Sequence, residues 1–168
     1  DPNVIKMAAL NLGYQTAFKG TKMIRKNREK YQCNIPWTIL IDPTSACNLH
    51  CTGCWAAEYG HQLNLSYEKL DDIITQGEKI GTYFYMYTGG EPLVRKNDLI
   101  KICEKHPECY FNVFTNATLI DDDFCKEVVR VGNMAFSISL EGFEEVNDGR
   151  RGEGDFEKVM HGMDLLKK

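Results

Sequence analysis

The sequence predicts an α/β fold in which parallel strands are joined by helical crossovers. Three observations predict it. Short runs rich in β-branched and aromatic residues alternate four times with amphipathic stretches, the pattern of βα units. The residues with the most distinctive chemistry fall where those runs end. The fourth run, MAFSISLEG (134–142), places Met134, Phe136, Ile138 and Leu140 on one face and Ala135, Ser137, Ser139 and Glu141 on the other. A buried parallel strand is usually apolar on both faces, so a small, polar face points to a lumen that holds something polar.

The elements follow in order. Residues 4–31 read as helix, with Ile5, Ala8, Ala9, Leu12, Phe18, Met23 and Ile24 at roughly helical spacing. TILID (38–42) is the first strand and leads into a cysteine-rich loop. Ser66 caps a helix that runs to about Ile80. TYFYMYT (82–88) is the second strand, and Asn97 to about Lys105 a short helix. YFNVFTN (110–116) is the third strand, followed by a helix from Asp121 to Val131. After the fourth strand a last helix starts near Asp155 and continues to the end.

Composition narrows the function. The chain has 168 residues, 43% hydrophobic and 26% charged, which suits one soluble domain with a real core. No apolar run has the length of a membrane span, and the N-terminus does not read as a signal peptide. Seven cysteines, an odd number, in such a chain argue against a disulfide framework. Reduced thiols in the cytoplasm are the expectation. The net charge of −4 argues against a nucleic-acid partner. The first 34 residues nevertheless carry seven basic residues against Asp1 and Glu29, a net of +5. They form a basic helical segment (1–34) ahead of the core (35–168). Such a helix suits weak contact with an anionic membrane surface. Its commoner use is to pack its stripe on its own domain and leave its charges in water.

The cysteine loop is CNLHCTGCW, with Cys47, Cys51 and Cys54 spaced C-x3-C-x2-C. A structural zinc site takes four protein ligands, usually as two close pairs. Here only Cys51 and Cys54 have pair spacing, and His50 adjoins Cys51 too closely to share one ion easily. A ferredoxin-type cluster would use four cysteines. A thioredoxin-like site would leave Cys47 idle. Three thiolates suit a four-iron cluster with one iron left open. Cys33, Cys103, Cys109 and Cys125 are scattered, and the last three read as buried small hydrophobes.

With C-x3-C-x2-C after the first strand and GGEP (Gly89 to Pro92) after the second, the chain resembles the radical S-adenosylmethionine (SAM) superfamily from about residue 36 to 168. SPASM-type peptide maturases and hopanoid-type adenosyl-transferring members are similar to it. The resemblance implies a partial (β/α)6 barrel, of which about four units are present. It implies that Cys47, Cys51 and Cys54 ligate three irons of a [4Fe-4S] cluster and that SAM chelates the fourth. An electron from the cluster then cleaves SAM to methionine and a 5'-deoxyadenosyl radical, which takes hydrogen from the substrate. Gly89, Gly90 and Glu91 would line the methionine moiety, Glu91 accepting from its ammonium group. Ser139 or Glu141 would contact the ribose, and Arg150 or Arg151 the SAM carboxylate. Asn116 stands in TNA where the family has TNG, so Ala117 replaces a glycine. Many members place an aromatic residue just before the third cysteine. Here that position is Gly53, whose backbone would meet adenine, and Trp55 follows as a core residue closing the loop.

The partners implied are a substrate, either peptide or small molecule, and an electron donor such as flavodoxin or ferredoxin. A zinc-binding interaction domain and a SAM-independent iron–sulfur electron carrier are the rival readings, and neither needs GGEP. Four units against six, with Asp1 not an initiator Met and nothing after Leu166 that signals a finish, imply a piece of a longer protein.

Overall fold

The computed structural model describes residues 1–56, 60 and 62–167. Its elements are α1 (Pro2–Ala8), a π-helical stretch (Ala9–Gly20), α2 (Thr21–Tyr31), β1 (Thr38–Ile41), α3 (Tyr67–Ile80), β2 (Phe84–Tyr87), a 3-10 turn (Pro92–Arg95), α4 (Lys96–Lys105), β3 (Tyr110–Thr115), α5 (Asp122–Val131), β4 (Met134–Ile138), α6 (Glu144–Arg151) and α7 (Asp155–Lys167). Among the described residues four strands form one sheet in the order β1-β2-β3-β4, and all are parallel, as the alternation predicts. The last helix was expected to reach residue 168, which lies outside the described residues.

The register explains the two faces. Ile41, Tyr87, Val113 and Phe136 stand side by side on one face. There Tyr85, Tyr87 and Phe111 stack, both tyrosine rings with centroids 5.6 Å from the Phe111 ring. Leu70 and Ile74 of α3, Leu99 and Ile102 of α4, Val128 of α5 and Val159 of α7 join the same core. On the other face Leu40, Met86, Asn112 and Ala135 align, and Asn112 donates to Ser137 Oγ at 3.0 Å. That face carries polar groups with partners of their own, as the alternation in the fourth strand predicts.

Local signals set the helix ends. Ser66 Oγ accepts from Lys69 N, and Asp121 Oδ1 from Phe124 N, satisfying donors that the first helical turn leaves open. Gly81 and Gly132 end α3 and α5 with positive φ, a conformation cheap only for glycine. The sequence reading missed α6. EEVNDGRR has one large apolar residue and a central glycine, so it carries no hydrophobic period to read. It is held by its neighbours: Asp148 accepts from Gly154 N and Phe156 N at 2.7 and 2.8 Å, and so joins α6 to the start of α7.

The N-terminal helix packs against the amino edge of the sheet, partly through Met23, which joins the core's margin, and partly through amides. Asn3 donates to the carbonyls of Val129 and Arg130, Asn11 to those of Pro107 and Cys109, and Asn27 to that of Ile80. The last carbonyls of a helix lack intrahelical donors, and these asparagines supply some. The π-helical middle also shifts the phase, because its repeat is longer than 3.6 residues. Met23 and Ile24 turn partly inward, while Ile5 and Phe18 remain 70% and 66% exposed. Among the described residues, no helix is long and apolar enough to cross a membrane.

One close approach in the core yields a test. A Cβ at Gly77 would overlap the Tyr85 hydroxyl, which donates to the carbonyls of Ile74 and Thr82. Helix propensity alone would make Gly77→Ala stabilising by about 1 kcal/mol. We expect a net loss of about 1–3 kcal/mol from overpacking instead, measured by urea unfolding. A more stable variant would contradict the packing described.

Candidate functional site

The carboxyl ends of the four strands gather the residues that the sequence singles out. β1 ends at Ile41 and runs through Pro43 and Thr44 to Cys47. The base of the cysteine loop is closed by a short antiparallel pairing: Ser45 N donates to Leu63 O at 2.8 Å, Leu65 N to Pro43 O at 3.1 Å, and Thr44 bridges Asn64. The guanidinium of Arg95 donates to the carbonyls of Pro43 and Leu65 and pairs with Asp98, pinning both sides of that base. Within the loop, Cys54 N donates to Cys51 O, and Gly53 takes φ +71°. Glycine makes this tight turn between two cysteines at little cost.

GGEP is the seam between this loop and the sheet. Gly90 N donates to Thr44 O and Glu91 N to Ala46 O, at 3.0 and 2.8 Å. A Cβ at Gly89 would stand 2.5 Å from Thr44 O, and one at Gly90 would run into Ala46 O. The glycines are thus required by the docking of the cysteine loop, a reason distinct from close approach to a ligand. Glu91 is 1% exposed. Its Oε1 accepts from Leu93 N and Thr115 Oγ1, and its Oε2 from Asn116 N. Burial pushes this carboxyl above its ordinary value, while the three donors oppose that shift. Both oxygens are therefore engaged by the protein.

Asn116 extends the seam. Its amide donates to Asn48 Oδ1, and Asn48 donates to Thr118 Oγ1, so the cysteine loop is tied to the end of β3. Ala117, where a glycine was expected, has φ +61° and is fully buried. α6 closes the other side. Thr52 N donates to Arg150 O at 2.8 Å. Arg151 donates to Glu141 Oε1 through Nε and Nη2, and Arg150 to Glu141 Oε2.

These contacts border a half-open cavity of about 200 Å³ whose lining includes Cys47, Cys51, Cys54, Gly89, Gly90, Glu91, Asn116, Ser139 and Arg151. Gly53 and Glu141 are outside that lining. Gly53 shapes the loop, and Glu141 acts on the cavity through Arg151. Trp55 corrects its expectation: at 55% exposure it is no core residue, and it lines this cavity beside Cys54. Thr88, Phe114 and Leu49 also line it. Their positions next to the strand ends and cysteines are the one signal in the sequence that points to them.

None of the seven cysteines forms a disulfide among the described residues. Burial pushes the Cys47 and Cys51 thiols up. The charge of the neighbouring cysteines adds to this in both, while Arg151 counters it at Cys51. These shifts by themselves favour neutral thiols; a metal centre bound in the cavity would deprotonate them as it takes them for ligands. The donor set, its confinement and the guanidinium at its edge fit an iron–sulfur cluster with a carboxylate-bearing ligand beside it.

A parallel α/β sheet with a thiol-lined cavity at its carboxyl edge defines the class. Residues 41–168 match the family model described as the radical SAM superfamily, and the chain belongs to that superfamily, whose members use a [4Fe-4S] cluster and SAM. The chain is 32% identical over 132 residues to a protein of Archaeoglobus fulgidus described as uncharacterized, covering 77% of this chain and 32% of that one. It is 33% identical over 129 residues to the Fe-coproporphyrin III synthase of Methanosarcina barkeri, covering 71% and 31%. A solved structure of native anSMEcpe with bound AdoMet and Cp18Cys peptide matches with a TM-score of 0.66 and 26% identity, covering 77% of this chain and 39% of that one. The chain thus spans about a third of the length of these curated relatives.

The Glu141 pair gives a pH test. Hydrogen bonds from Arg151, then Arg150, hold the Glu141 carboxyl below its ordinary value. A depressed carboxyl contributes stability that is fully present above the ordinary glutamate pKa of about 4.3 and is lost as pH falls through its native value. Glu141→Gln should be less stable than the unaltered chain at neutral pH. The difference should shrink toward zero below about pH 4, by urea unfolding across pH. A difference independent of pH would contradict the pairing.

Proposed function

We propose that this chain is the cofactor-binding part of a radical SAM enzyme. Three cysteines, the two glycines of GGEP and Arg151 lining one cavity carry this reading. Cys47, Cys51 and Cys54 are the residues to hold three irons of a [4Fe-4S] cluster. When bound, the cluster and SAM supply reductive cleavage to methionine and a 5'-deoxyadenosyl radical that takes hydrogen from a substrate.

The chain's own residues bind, orient and shield. The strand-end backbone at Gly89 and Gly90 forms the wall for the methionine moiety. Arg151 offers a cation for a carboxylate, and Glu141 fixes its orientation. Ser139 places a polar group toward a ribose, and the Gly53 turn offers backbone for adenine. Asn116, whose side-chain oxygen accepts from Thr118 N and Oγ1 and whose amide bonds Asn48, shapes the turn that borders the cavity. Glu91, with both oxygens engaged, is a positioning residue: it sets the seam that holds the cysteine loop. Residues 1–34 are a basic helical segment attached to a core that begins near residue 35. A reduced, cytoplasmic flavodoxin or ferredoxin is the electron donor we infer. The substrate is a peptide or a small molecule; the relative with a bound peptide supports the first, and the Fe-coproporphyrin III synthase the second.

The test starts from protein reconstituted with iron and sulfide without oxygen and reduced by dithionite. The expected electron paramagnetic resonance spectrum is that of a reduced [4Fe-4S] cluster, altered when SAM is added. Cys47→Ala, Cys51→Ala and Cys54→Ala should each lower bound iron roughly tenfold, with Cys103→Ala unchanged. A signal indifferent to SAM, or full iron retention in Cys51→Ala, would overturn the reading.

A further inference from the structure

The amino edge of the sheet, opposite the cysteine cavity, carries a second cluster of metal-ligating side chains. Glu78 lies in the last turn of α3, His106 caps α4, and Cys109 immediately precedes β3. Their ligand atoms all lie within 4.8 Å of one another. His106 Nδ1 is 3.0 Å from Glu78 Oε2, and Cys109 Sγ donates to Glu78 Oε1 at 3.4 Å. His106 and Cys109 are three residues apart, and Cys109 N donates to His106 O. That turn is the kind that brings two ligands of a close pair to one ion.

The imidazole poses a charge problem. Its second nitrogen, Nε2, is 2.9 Å from Asp71 Oδ1. Each ring nitrogen thus faces a carboxylate oxygen. A neutral imidazole has one N–H, so it would bond one carboxylate and turn a lone pair toward the other. The two carboxylates call for a further positive charge, which a second ring proton or a metal ion on the Glu78 side would supply. The thiol of Cys109 at the same spot favours the metal, since imidazole, thiolate and carboxylate together are a zinc donor set. Asp71 has the place of the outer carboxylate that orients a metal-bound histidine, and Lys105 holds it at 2.8 Å.

The site is stiff and sheltered. Asn133 Nδ2 donates to the carbonyls of Cys103, His106 and Cys109, and Asn11 Nδ2 to that of Cys109. The His106 side chain is 5% exposed, Cys109 is fully buried, and the Glu78 side chain is 26% exposed. Glu78 is therefore the side open to solvent, from which an ion would enter and a water would complete four ligands.

We propose that Glu78, His106 and Cys109 bind one zinc-class divalent cation that joins α3, α4 and β3, with Asp71 orienting His106. Binding releases the Cys109 thiol proton and any proton on His106 Nδ1 to solvent. The site shares no residue with the cysteine cavity and stands independently of the function proposed for it.

Co(II) is the probe. In the chain carrying Cys47→Ala, Cys51→Ala and Cys54→Ala, kept reduced, a Co(II) titration should saturate at one ion per chain. It should show a thiolate-to-cobalt charge-transfer band that zinc removes. Adding Cys109→Ser should weaken the band at least about tenfold, whereas adding Cys103→Ser should leave it. No band in the folded triple variant, or a band that survives Cys109→Ser, would overturn the proposal. If the triple variant fails to fold, equilibrium dialysis of the otherwise unaltered chain against zinc decides. One ion fewer in Cys109→Ser supports the site, and equal loading refutes it.

Discussion

The buried carboxylate of Glu91 is the constraint on which the carboxyl edge depends. A carboxylate at 1% exposure is costly unless its oxygens are engaged. Here one oxygen takes a 3-10 turn donor and the Thr115 hydroxyl, and the other takes the Asn116 amide. The Glu91 amide meanwhile bonds the Ala46 carbonyl, next to Cys47. One residue therefore connects the end of β2 to the end of β3 and to the cysteine loop. Gly89 and Gly90 allow that docking because a side chain at either would strike a loop carbonyl. The same contact explains why glycines precede a glutamate here.

The two edges of the sheet do different work. At the carboxyl edge, loops bring thiols, a guanidinium and strand-end backbone to one cavity, which is where α/β folds place their chemistry. At the amino edge, asparagines of the N-terminal helix bond carbonyls of α3, α5 and the loop before β3. These bonds fix the amino ends of the strands to the helices. The packing that makes the core, Tyr85 and Tyr87 against Phe111, lies between the two edges and transmits the position of one strand to the next.

Much of this was legible in the residues. The alternation of strand and helix pointed to parallel strands, Ser66 and Asp121 to helix starts, and the three cysteines with GGEP to the carboxyl edge of the sheet. What was not legible depends on contacts distant in sequence. α6 has no hydrophobic period; it exists because Asp148 bonds the start of α7 and Arg150 the cysteine loop. Arg95 and Asn48 are ordinary polar residues in the sequence, and only the fold brings Arg95 to the loop base and Asn48 to Asn116. Trp55 reads as core by its size, yet the chain turns at Gly53 and leaves it at the cavity rim. The N-terminal stripe misleads because the π-helical stretch changes the period midway.

The central claim is that Glu91 holds the cysteine loop and the strand ends in place. Amide hydrogen exchange in Glu91→Gln tests it most directly. Glutamine fills the same space but turns an NH2 group toward a donor that the carboxylate accepted. An unsatisfied buried group costs about 1–3 kcal/mol, so exchange at the Asn116 or Leu93 amide should quicken roughly tenfold to a hundredfold, with the amides of the cysteine loop following. Protection unchanged at Leu93, Asn116 and Cys54 would contradict the account, and the loop would then be held by something other than this carboxylate.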